Sequence, residues 1–387
     1  MRILLSLTYY RPHVSGLTIY VERLAKALAS RGHQVTVLTS RHDPSLPVDE
    51  VIDNVRVVRV PVLASLGKGP IMPRFGPVAA QLVRSHEVIS LHLPQVESTL
   101  VAGLARAAGK PVVLTYHCDL DLPPGRINGA INGAVNLANH ITGRLSDAVV
   151  AYTDDYADHS PFLRSFRSKR EVIGPPMVMN APSPAAVDSF RRTHRLGEGP
   201  VLGYASRFAT EKGIEYTIDA APALIEQYPG LRIIFAGPYR QVIGEDDYRA
   251  RLEPAIGELG DHWRFLGTLK PDQLPAFYGS LDLLLMTSVN STESFGLVQV
   301  EAMLCGTPVV ATNLPGVRQP VLTTGMGEIV EIADSVSLVQ GIQKVLADRA
   351  AYVRPREEIS AMYDMAVTVS KYEALFERLL NQRRYAA

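Results

Sequence analysis

Residues 281–312, LDLLLMTSVNSTESFGLVQVEAMLCGTPVVAT, place an apolar run, a helix-like segment and a second apolar run in succession. The runs LDLLLMT and PVVAT are short and are bounded by turns, which is typical of buried strands. The segment after Ser294 lies between them and has the pattern of a helix. A strand, a helix and a strand in this order predict a βαβ unit with parallel strands.

The same alternation continues toward both termini. Arg2–Thr8 is an apolar run, apolar residues from Leu17 to Leu28 follow at helical spacing, and Gly32 stands where a helix C-cap is expected. The other strand-like runs are VTVLTS, VRVVRV, EVISLHL, PVVLTYH, DAVVAYT, VLGYAS, LRIIFAG and WRFLG, and a helix is predicted from about Gly213 to Gln227. We therefore predict an α/β fold with two doubly wound Rossmann-like domains that face each other across a cleft.

The stretch IGPPMVMNAPSPAAV, residues 173–187, interrupts this alternation with four prolines and indicates the connection between the domains. From about Met365 the chain has the pattern of an amphipathic helix. Ligands of doubly wound sheets bind at the carboxyl ends of the strands. Polar residues that directly follow a strand are therefore the candidates for a functional site.

The composition describes an ordinary globular protein of 387 residues, enough for about two domains of 150–200 residues. No run of 18 apolar residues occurs, so no membrane span is predicted. The N-terminal sequence lacks the features of a signal peptide, which predicts a cytoplasmic protein. Cys118 and Cys305 are the only cysteines, one in each half, and predict neither a disulfide nor a zinc site.

The formal net charge is zero, but the charges are unevenly distributed. Residues 1–180 carry 19 Lys and Arg against 14 Asp and Glu, whereas residues 181–387 carry 20 against 25. So modest an asymmetry argues against nucleic acid as a partner. It suits a first half that contacts an anionic membrane surface or an anionic acceptor. The alternative is that the difference has no functional meaning.

Two segments have the composition of an anion site. In VSGLTIYVERL, Gly16 lies at a strand-to-helix turn, where backbone amides favour a phosphate and glycine permits close approach. In SRFATEKG, Arg207 and Lys212 could converge on one diphosphate, the arginine as a planar fork and the lysine as a point charge. The alternatives are an ordinary turn in the first case and two solvated charges in the second.

The stretch ESFGLVQVE places Glu293 and Glu301 eight residues apart. A helix is expected to begin near Phe295–Gly296, capped by Ser294 or its neighbour. Eight helical residues span about 12 Å, or slightly more than two turns, so both acids stay near one face. Carboxylates suit sugar hydroxyls and the helix N-terminus suits a phosphate. The pattern therefore describes a nucleotide diphosphate sugar, although chance charges on a surface helix would have the same spacing.

His117 ends the predicted strand PVVLTY, and Asp119 follows closely enough to orient its ring. The alternative is a purely structural histidine. Asp119 and Asp121 have the spacing nearest to an Asp-x-Asp cation site, but no metal site is predicted from them.

In this order, Gly16, His117, Arg207, Lys212 and the Glu293/Glu301 pair resemble the retaining glycosyltransferases of family 4, which have the GT-B fold. The specific motif runs from FLGTL through ESFGLVQVEAMLCGTPVVATNLPGV, and the resemblance covers essentially the whole chain. It implies an acceptor-side domain of residues 1–180 together with a crossing helix of residues 366–387. It also implies a nucleotide-sugar domain of residues 181–365.

The resemblance implies a role for each matching residue. Glu293 would bind the donor-sugar hydroxyls, Glu301 would bind the ribose, and Arg207 with Lys212 would neutralise the diphosphate. Gly16 would lie near the phosphates and His117 near the transferred sugar. The implied catalytic residues are His117, Arg207, Lys212 and Glu293, and the implied donor-binding residues are Gly16, Ser206, Arg207, Lys212, Gly237, Glu293, Ser294, Phe295, Gly296, Leu297 and Glu301.

Four positions depart from the family pattern. Ser15-Gly16 stands where two glycines are common, and SRF at residues 206–208 replaces the usual GRL while it keeps Arg207. FAGPYR lacks the usual Gly-x-Gly before its proline, a change that lies near the donor base. IGPPMVMN lacks the customary Asn-Gly turn.

The resemblance implies transfer of a hexose, with retained configuration and without a metal ion or other cofactor, from a nucleotide diphosphate sugar to an acceptor hydroxyl. UDP is slightly favoured over GDP, and the acceptor would be a glycan or a lipid-linked molecule in polysaccharide, glycolipid or related synthesis. The segments Arg126–Leu145 and FLRSFRSKR could form a rim that faces the acceptor or the lipid at the inner face of the cell membrane, or they could be an ordinary helix and a solvated charge run. Two rival functions remain: a nucleotide-sugar epimerase or hydrolase, and a non-catalytic sugar-nucleotide-binding protein.

Overall fold

The computed structural model of the chain describes residues 1–66, 69–120 and 126–386. The chain forms two compact units: the first unit contains residues 1–176 and 364–387, and the second unit contains residues 177–363. Each unit is described by itself below.

The first unit is built on a sheet in the order β10-β9-β8-β7-β1-β2-β4-β3, in which all neighbours are parallel except the edge pair β3–β4. A separate antiparallel pair is formed by β5 and β6. The strands are β1 (Arg2–Ser6), β2 (Gln34–Arg41), β3 (Asp49–Ile52), β4 (Val55–Pro61), β5 (Ala64–Leu66), β6 (Gly69–Ile71), β7 (Val88–Leu93), β8 (Val112–Tyr116), β9 (Ala148–Ala151) and β10 (Arg170–Val172).

The central strands of this sheet are buried along their whole length, as the continuous apolar runs VISLHL and VVLTY require. The strand order reverses at β1, which lies between β7 and β2. This reversal is a topological switch point, where loops from neighbouring strands diverge and leave a crevice at their carboxyl ends. The helices of the chain's N-terminal part are α1 (Gly16–Ser30), α2 (Phe75–Ser85), α3 (Ser98–Ala107), α4 (Arg126–Leu145), α5 (Asp154–His159) and α6 (Pro161–Arg164).

The last helix of the chain, Met365–Ala386, belongs to the first unit. Polar contacts fix it there: Arg31 pairs with Glu373 at 2.5 Å, and Arg383 pairs with Asp147 at 2.7 Å. Its apolar side contributes Tyr372, Phe376 and Leu379 to the buried interior. No helix among the described residues combines the length and apolar character needed to cross a membrane.

The second unit contains a fully parallel sheet in the order β13-β12-β11-β14-β15-β16, with a switch point between β11 and β14. The predicted α/β class, with Rossmann-like doubly wound sheets, is thus confirmed. The strands are β11 (Val201–Ala205), β12 (Arg232–Ala236), β13 (Trp263–Gly267), β14 (Leu283–Met286), β15 (Val309–Thr312) and β16 (Gly327–Val330). The helices are α7 (Pro184–Thr193), α8 (Ile214–Gln227), α9 (Asp246–Glu258), α10 (Leu274–Gly279), α11 (Leu297–Leu304), α12 (Gln319–Thr324), α13 (Ser335–Ala347) and α14 (Arg356–Met362); the C-terminal helix Met365–Ala386 is α15.

Candidate active site

The loop after β11 carries the two cations predicted to bind phosphate. Its middle is anchored, because Phe208 and Ala209 are buried and the Phe208 amide donates to the carbonyl of Pro238 at 2.9 Å. Arg207 precedes this anchor, and its Nη2 donates to Oε1 of Glu211 at 2.8 Å. The Arg207 side chain is 38% exposed, so the guanidinium is oriented by a partner and still accessible.

Lys212 ends the same loop and joins it to the segment after β14. Its Nζ lies 2.5 Å from Oε2 of Glu293, and the two side chains are only 14% and 19% exposed. The Lys212 carbonyl accepts a hydrogen bond from Oγ1 of Thr287 at 2.7 Å. Since β11 and β14 flank the switch point of the second unit, this ion pair lies where doubly wound sheets bind ligands.

The second oxygen of Glu293 organises the start of α11. Oε1 of Glu293 accepts from the backbone amide of Gly296 at 3.0 Å. The helix begins at Leu297 with Gly296 as its N-cap, and no side chain caps its first turn. The expected side-chain cap by Ser294 or its neighbour is therefore not formed, and the neighbouring Glu293 instead contacts the amide of the N-cap residue. Gly296 has φ of +76°, a left-handed conformation that glycine adopts without strain.

Glu301, the second acid of the motif, lies inside the unit rather than on an open helix face. It is 4% exposed, and its Oε2 accepts a hydrogen bond from the hydroxyl of Tyr278 at 2.8 Å. The Glu293 side chain remains partly accessible. The structure thus separates the two glutamates into a half-buried ion-paired acid and a buried acid held by a tyrosine.

Gly237 lies where the ends of β11 and β12 approach each other closely. A Cβ atom at this position would lie 1.9 Å from the carbonyl oxygen of Ser206, and the backbone has φ of +141°. The Ser206 amide donates to the carbonyl of Ala236 at 3.0 Å and extends the pairing of the two strands. Both predicted donor-binding residues, Ser206 and Gly237, therefore lie at the carboxyl edge of the sheet, where a side chain at 237 cannot be accommodated.

Gly16 is the first residue of α1 in the first unit. The N-cap is Ser15, whose Oγ accepts from the Thr18 amide at 3.2 Å. A Cβ atom at Gly16 would have no heavy atom within 4 Å, so the fold itself does not require glycine here. The space beside the helix N-terminus is open to an incoming group.

His117 follows β8 and is buried in a network of rings and hydroxyls. Its Nε2 lies 3.0 Å from Nδ1 of His92, and its Nδ1 is hydrogen-bonded to the hydroxyl of Tyr152. The Tyr20 ring meets His117 edge to face at 4.9 Å. The Tyr20 hydroxyl is in turn hydrogen-bonded to that of Tyr372 on α15 at 2.7 Å. The C-terminal helix therefore supports the surroundings of the predicted site histidine.

Burial keeps both imidazoles of this network neutral. It lowers the pKa of His92 to about 3, and burial, followed by the unfavourable electrostatics of protonation next to His92, holds the pKa of His117 well below its usual value. In neutral His117 one ring nitrogen donates and the other accepts, so the His92 and Tyr152 contacts run in the same direction along the chain. At neutral pH the His117 ring is therefore uncharged.

Asp119 does not orient His117, contrary to expectation. Its Oδ1 accepts from the hydroxyls of Tyr116 at 3.0 Å and Ser160 at 2.8 Å, and its amide donates to Tyr156 at 2.7 Å. Asp119 thus fixes the loop after β8 while histidine and tyrosine partners hold the His117 ring. Asp121 lies outside the described residues.

Several partners of the site residues were missed at the sequence level. Glu211 lies four residues after Arg207, so the helix-like spacing within SRFATEKG could have suggested that pair. Tyr278 precedes Glu301 by 23 residues, and Tyr152 follows His117 by 35, and no local pattern connects either pair.

Within the described ranges, no group of three His, Cys, Asp or Glu side chains has the arrangement of a metal site. Cys118 and Cys305 are not joined in a disulfide.

Both units match models of known enzyme families. Residues 187–362 match the family described as glycosyl transferases group 1, and residues 15–176 match the glycosyl transferase 4-like domain.

Individual proteins similar to the chain match it over nearly its full length. One is the phosphatidyl-myo-inositol mannosyltransferase of Mycobacterium leprae, 27% identical, with 97% of this chain and 96% of the relative covered. Another is the 2-deoxystreptamine glucosyltransferase of Streptomyces kanamyceticus, 28% identical, with 95% and 100% covered. Among solved structures, Anabaena HepE in complex with UDP-glucose matches with a TM-score of 0.79 at 21% identity and covers 98% of this chain and 100% of its own.

Proposed function

Because this chain belongs to the family-4 type of GT-B glycosyltransferases, whose models match both of its units, we propose that it transfers a hexose from a nucleotide diphosphate sugar to an acceptor hydroxyl. In this proposal the anomeric configuration is retained and the reaction needs no metal ion. The observation that carries this proposal is the contact of Glu293 with both Lys212 Nζ and the Gly296 amide. This contact gathers a cation, a carboxylate and a helix N-terminus at one switch point.

The cations stabilise the leaving group in this mechanism. As the bond between the anomeric carbon and the phosphate oxygen breaks, negative charge grows on the diphosphate. Arg207 and Lys212 lie on the anchored loop after β11, so their charges are in place before the reaction. The dipole of α11 adds a partial positive charge at its N-terminus. Two fixed cations supply the neutralisation that a metal ion provides elsewhere.

Glu293 serves as a binding and positioning group in this proposal and not as a nucleophile. One of its oxygens contacts Lys212 and the other accepts from Gly296, so both are already engaged. A carboxylate held in this way suits hydrogen bonds to sugar hydroxyls. Retention then follows from attack of the acceptor on the same face that the diphosphate leaves, with the acceptor's proton passing to the leaving phosphate. Glu301, supported by Tyr278, would hold the ribose.

As the nucleotide of the donor we favour UDP slightly over GDP. This choice is supported by analogy, since HepE, which has a similar fold, was solved in complex with UDP-glucose. The relatives named above are a mannosyltransferase and a glucosyltransferase, which supports a hexose donor. Their names include a phospholipid and an aminocyclitol, so the acceptor class inferred from them is a glycan, a lipid-linked molecule or another hydroxylated ring.

The proposal is tested with a thermal-shift panel of UDP-, GDP-, ADP- and dTDP-sugars, in which the true donor raises the melting temperature by mass action. NMR of the product formed from that donor then gives the anomeric configuration, with and without EDTA. An inverted product, or turnover that EDTA abolishes, contradicts the retaining, metal-independent mechanism. Donor consumption without an acceptor favours a hydrolase or epimerase, and binding without any turnover favours a non-catalytic protein.

Contact with an anionic membrane is a second part of the proposal. On α4, Leu137 is 63% exposed and Ile141 is 36% exposed, and the exposed Arg144 lies one turn further along. An apolar side chain pair next to a cation suits the interface of an anionic bilayer. Sedimentation with phosphatidylglycerol vesicles at low salt should capture the protein, and L137E should weaken capture. Equal recovery with neutral and anionic vesicles would argue against this contact.

A further inference from the structure

A chain of three buried hydroxyl groups leads through the second unit to the backbone of Lys212. Thr217 lies on α8, Tyr204 lies on β11, and Thr287 directly follows β14. The Tyr204 hydroxyl lies 2.5 Å from Oγ1 of Thr217 and 2.8 Å from Oγ1 of Thr287. Oγ1 of Thr287 donates in turn to the carbonyl of Lys212 at 2.7 Å. Each of the three side chains is at most 3% exposed, so water does not compete for these contacts.

The donor of each hydrogen bond in this chain follows by elimination. A carbonyl only accepts, so the single hydroxyl proton of Thr287 is used on Lys212. The contact between Thr287 and Tyr204 therefore takes its proton from Tyr204, and the next contact takes its proton from Thr217. Burial raises the pKa of Tyr204, which keeps this hydroxyl protonated and able to donate. The chain thus runs in one direction, toward Lys212, and each of its protons is committed to the next group.

The turn that carries Lys212 is fixed to the same segment at two further points. The backbone amide of Val289 donates to the carbonyl of Glu211 at 3.0 Å. Gly213 has φ of +58°, and a Cβ atom there would lie 2.4 Å from the carbonyl oxygen of Thr287. Three consecutive residues of the turn are therefore held against the segment after β14, and the closeness of this approach requires glycine.

This anchoring bears on the cation because Lys212 is held at both of its ends. Its carbonyl accepts from Thr287, and its Nζ pairs with Glu293 at 2.5 Å. The stem of a lysine is long and flexible, so its charge has a defined place only where backbone and tip are both fixed. A carbonyl bonded to a buried hydroxyl is also kept from turning toward a phosphate, which its oxygen would repel.

We propose that Thr287 and Tyr204, supported by Thr217, are positioning residues that hold Lys212 in place for the diphosphate of the donor. The proposal rests on the transferase function above. All three side chains are enclosed in the interior, so their effect on the reaction passes through Lys212. Loss of the link nearest to the lysine should therefore matter most, and links further away should matter progressively less.

The first test measures turnover along the chain. T287V removes the hydroxyl, keeps the shape of the side chain and should lower kcat about tenfold. T287S keeps the hydroxyl and should restore kcat to within about threefold of the intact enzyme. Y204F should lower kcat by about threefold and T217V by less, since Thr287 still donates in both variants. Effects that follow the fall in melting temperature, and not the distance from Lys212, would overturn the proposal.

T324V is the matched control for T287V. Thr324 ends α12 and is 5% exposed, and its hydroxyl donates to the carbonyl of Pro320 at 2.8 Å. This variant loses the same kind of buried hydrogen bond away from the cationic loop. Its melting temperature should fall as that of T287V does, while its kcat should stay unchanged. An equal loss of kcat in T324V and T287V would show a general effect of stability and contradict the positioning role.

Binding separates failure of this proposal from failure of the proposed function. Calorimetric titration with UDP or GDP, according to the donor panel, needs no turnover. In the intact protein T287V should weaken this binding about fivefold, whereas in K212A the same substitution should change it by less than about twofold. Equal losses in both backgrounds would overturn the proposal. Nucleotide binding that follows this pattern without transfer to any acceptor would support the positioning role while the transferase function fails.

Discussion

The carboxyl edges of the two sheets carry polar residues of opposite character. In the second unit they are ion pairs, Lys212 with Glu293 and Arg207 with Glu211, which remain partly accessible. In the first unit His92 and His117 are buried and neutral, and hydroxyls and rings hold them. The side chains are charged at the edge where a charged ligand is expected, and the histidines are uncharged at the edge where burial excludes water. The comparison teaches that two sheets of the same kind can present accessible charged side chains at one carboxyl edge and a rigid, uncharged network at the other.

The largest expected effect comes from removing a charge at the second edge. Lys212→Ala should lower kcat by roughly 10²–10³-fold, because it removes the fixed cation that stabilises the leaving diphosphate in the proposed mechanism. The free energy of unfolding should fall by only about 1 kcal/mol, since one half-buried ion pair is broken. Steady-state kinetics and urea denaturation measure the two quantities.

Lys270→Ala provides the control, because Lys270 is exposed and lies outside the site. Its kcat should match that of the unmodified enzyme. Unchanged turnover in Lys212→Ala would show that the lysine has no role in the mechanism. The charges at the edge of the second sheet would then not distinguish the two edges in function.

The next largest effect is expected at the carboxyl edge of the first unit's sheet, where the free energy of unfolding should depend on pH. His92 and His117 have folded-state pKa values below that of an unfolded histidine. The unfolded chain therefore binds more protons as pH falls below about 6.5, and stability decreases. Between pH 6.5 and pH 5 each histidine should reduce the free energy of unfolding by about 2 kcal/mol. Urea denaturation at several pH values measures the slope.

His92→Gln should be less stable at pH 7 but should show a shallower dependence on pH. His159→Gln replaces an exposed histidine and should retain the slope of the parent protein. If His92→Gln keeps the parental slope, the two imidazoles are not held neutral as the network requires.

The smallest expected effect tests the open space at the N-terminus of α1. Gly16→Ala should fold normally, because a Cβ atom there meets nothing. We expect the donor KM to rise by about tenfold, since one methyl group would obstruct close approach of a phosphate. Gly103→Ala, another open glycine position in a helix, should leave KM unchanged. A donor KM unaltered by Gly16→Ala would assign Gly16 to an ordinary turn.

The strands and their parallel pairing were predictable from short apolar runs. VLGYAS, LRIIFAG and LDLLLMT each correspond to a strand of the second unit, and the helix predicted from about Gly213 is α8. The short antiparallel edge strand β3 and the pair β5–β6 were not predicted. Their stability depends on a neighbouring strand rather than on a distinctive local run, so local pattern gives little indication of them.

The residues of the candidate site were predictable where they lie directly after the end of a strand. Arg207, Lys212 and Glu293 were found from position and residue type. Their pairing partners were harder to identify, because contact at the switch point joins segments 81 residues apart in Lys212–Glu293. A side-chain cap of α11 by Ser294 or its neighbour was predicted, but the N-cap residue is Gly296 and no side chain caps the first turn, an outcome that depends on how the loop after β14 turns.

By itself, the sequence determined the order of strands and helices, the class of sheet and the residues that end the strands. These properties depend on local periodicity and on the burial of apolar runs, which a chain carries in its own pattern. The tertiary structure decided which acid is paired and which is buried, and it joined His117 to His92 and Tyr152. Those outcomes depend on distances between segments far apart in the chain and on how much water each pair excludes.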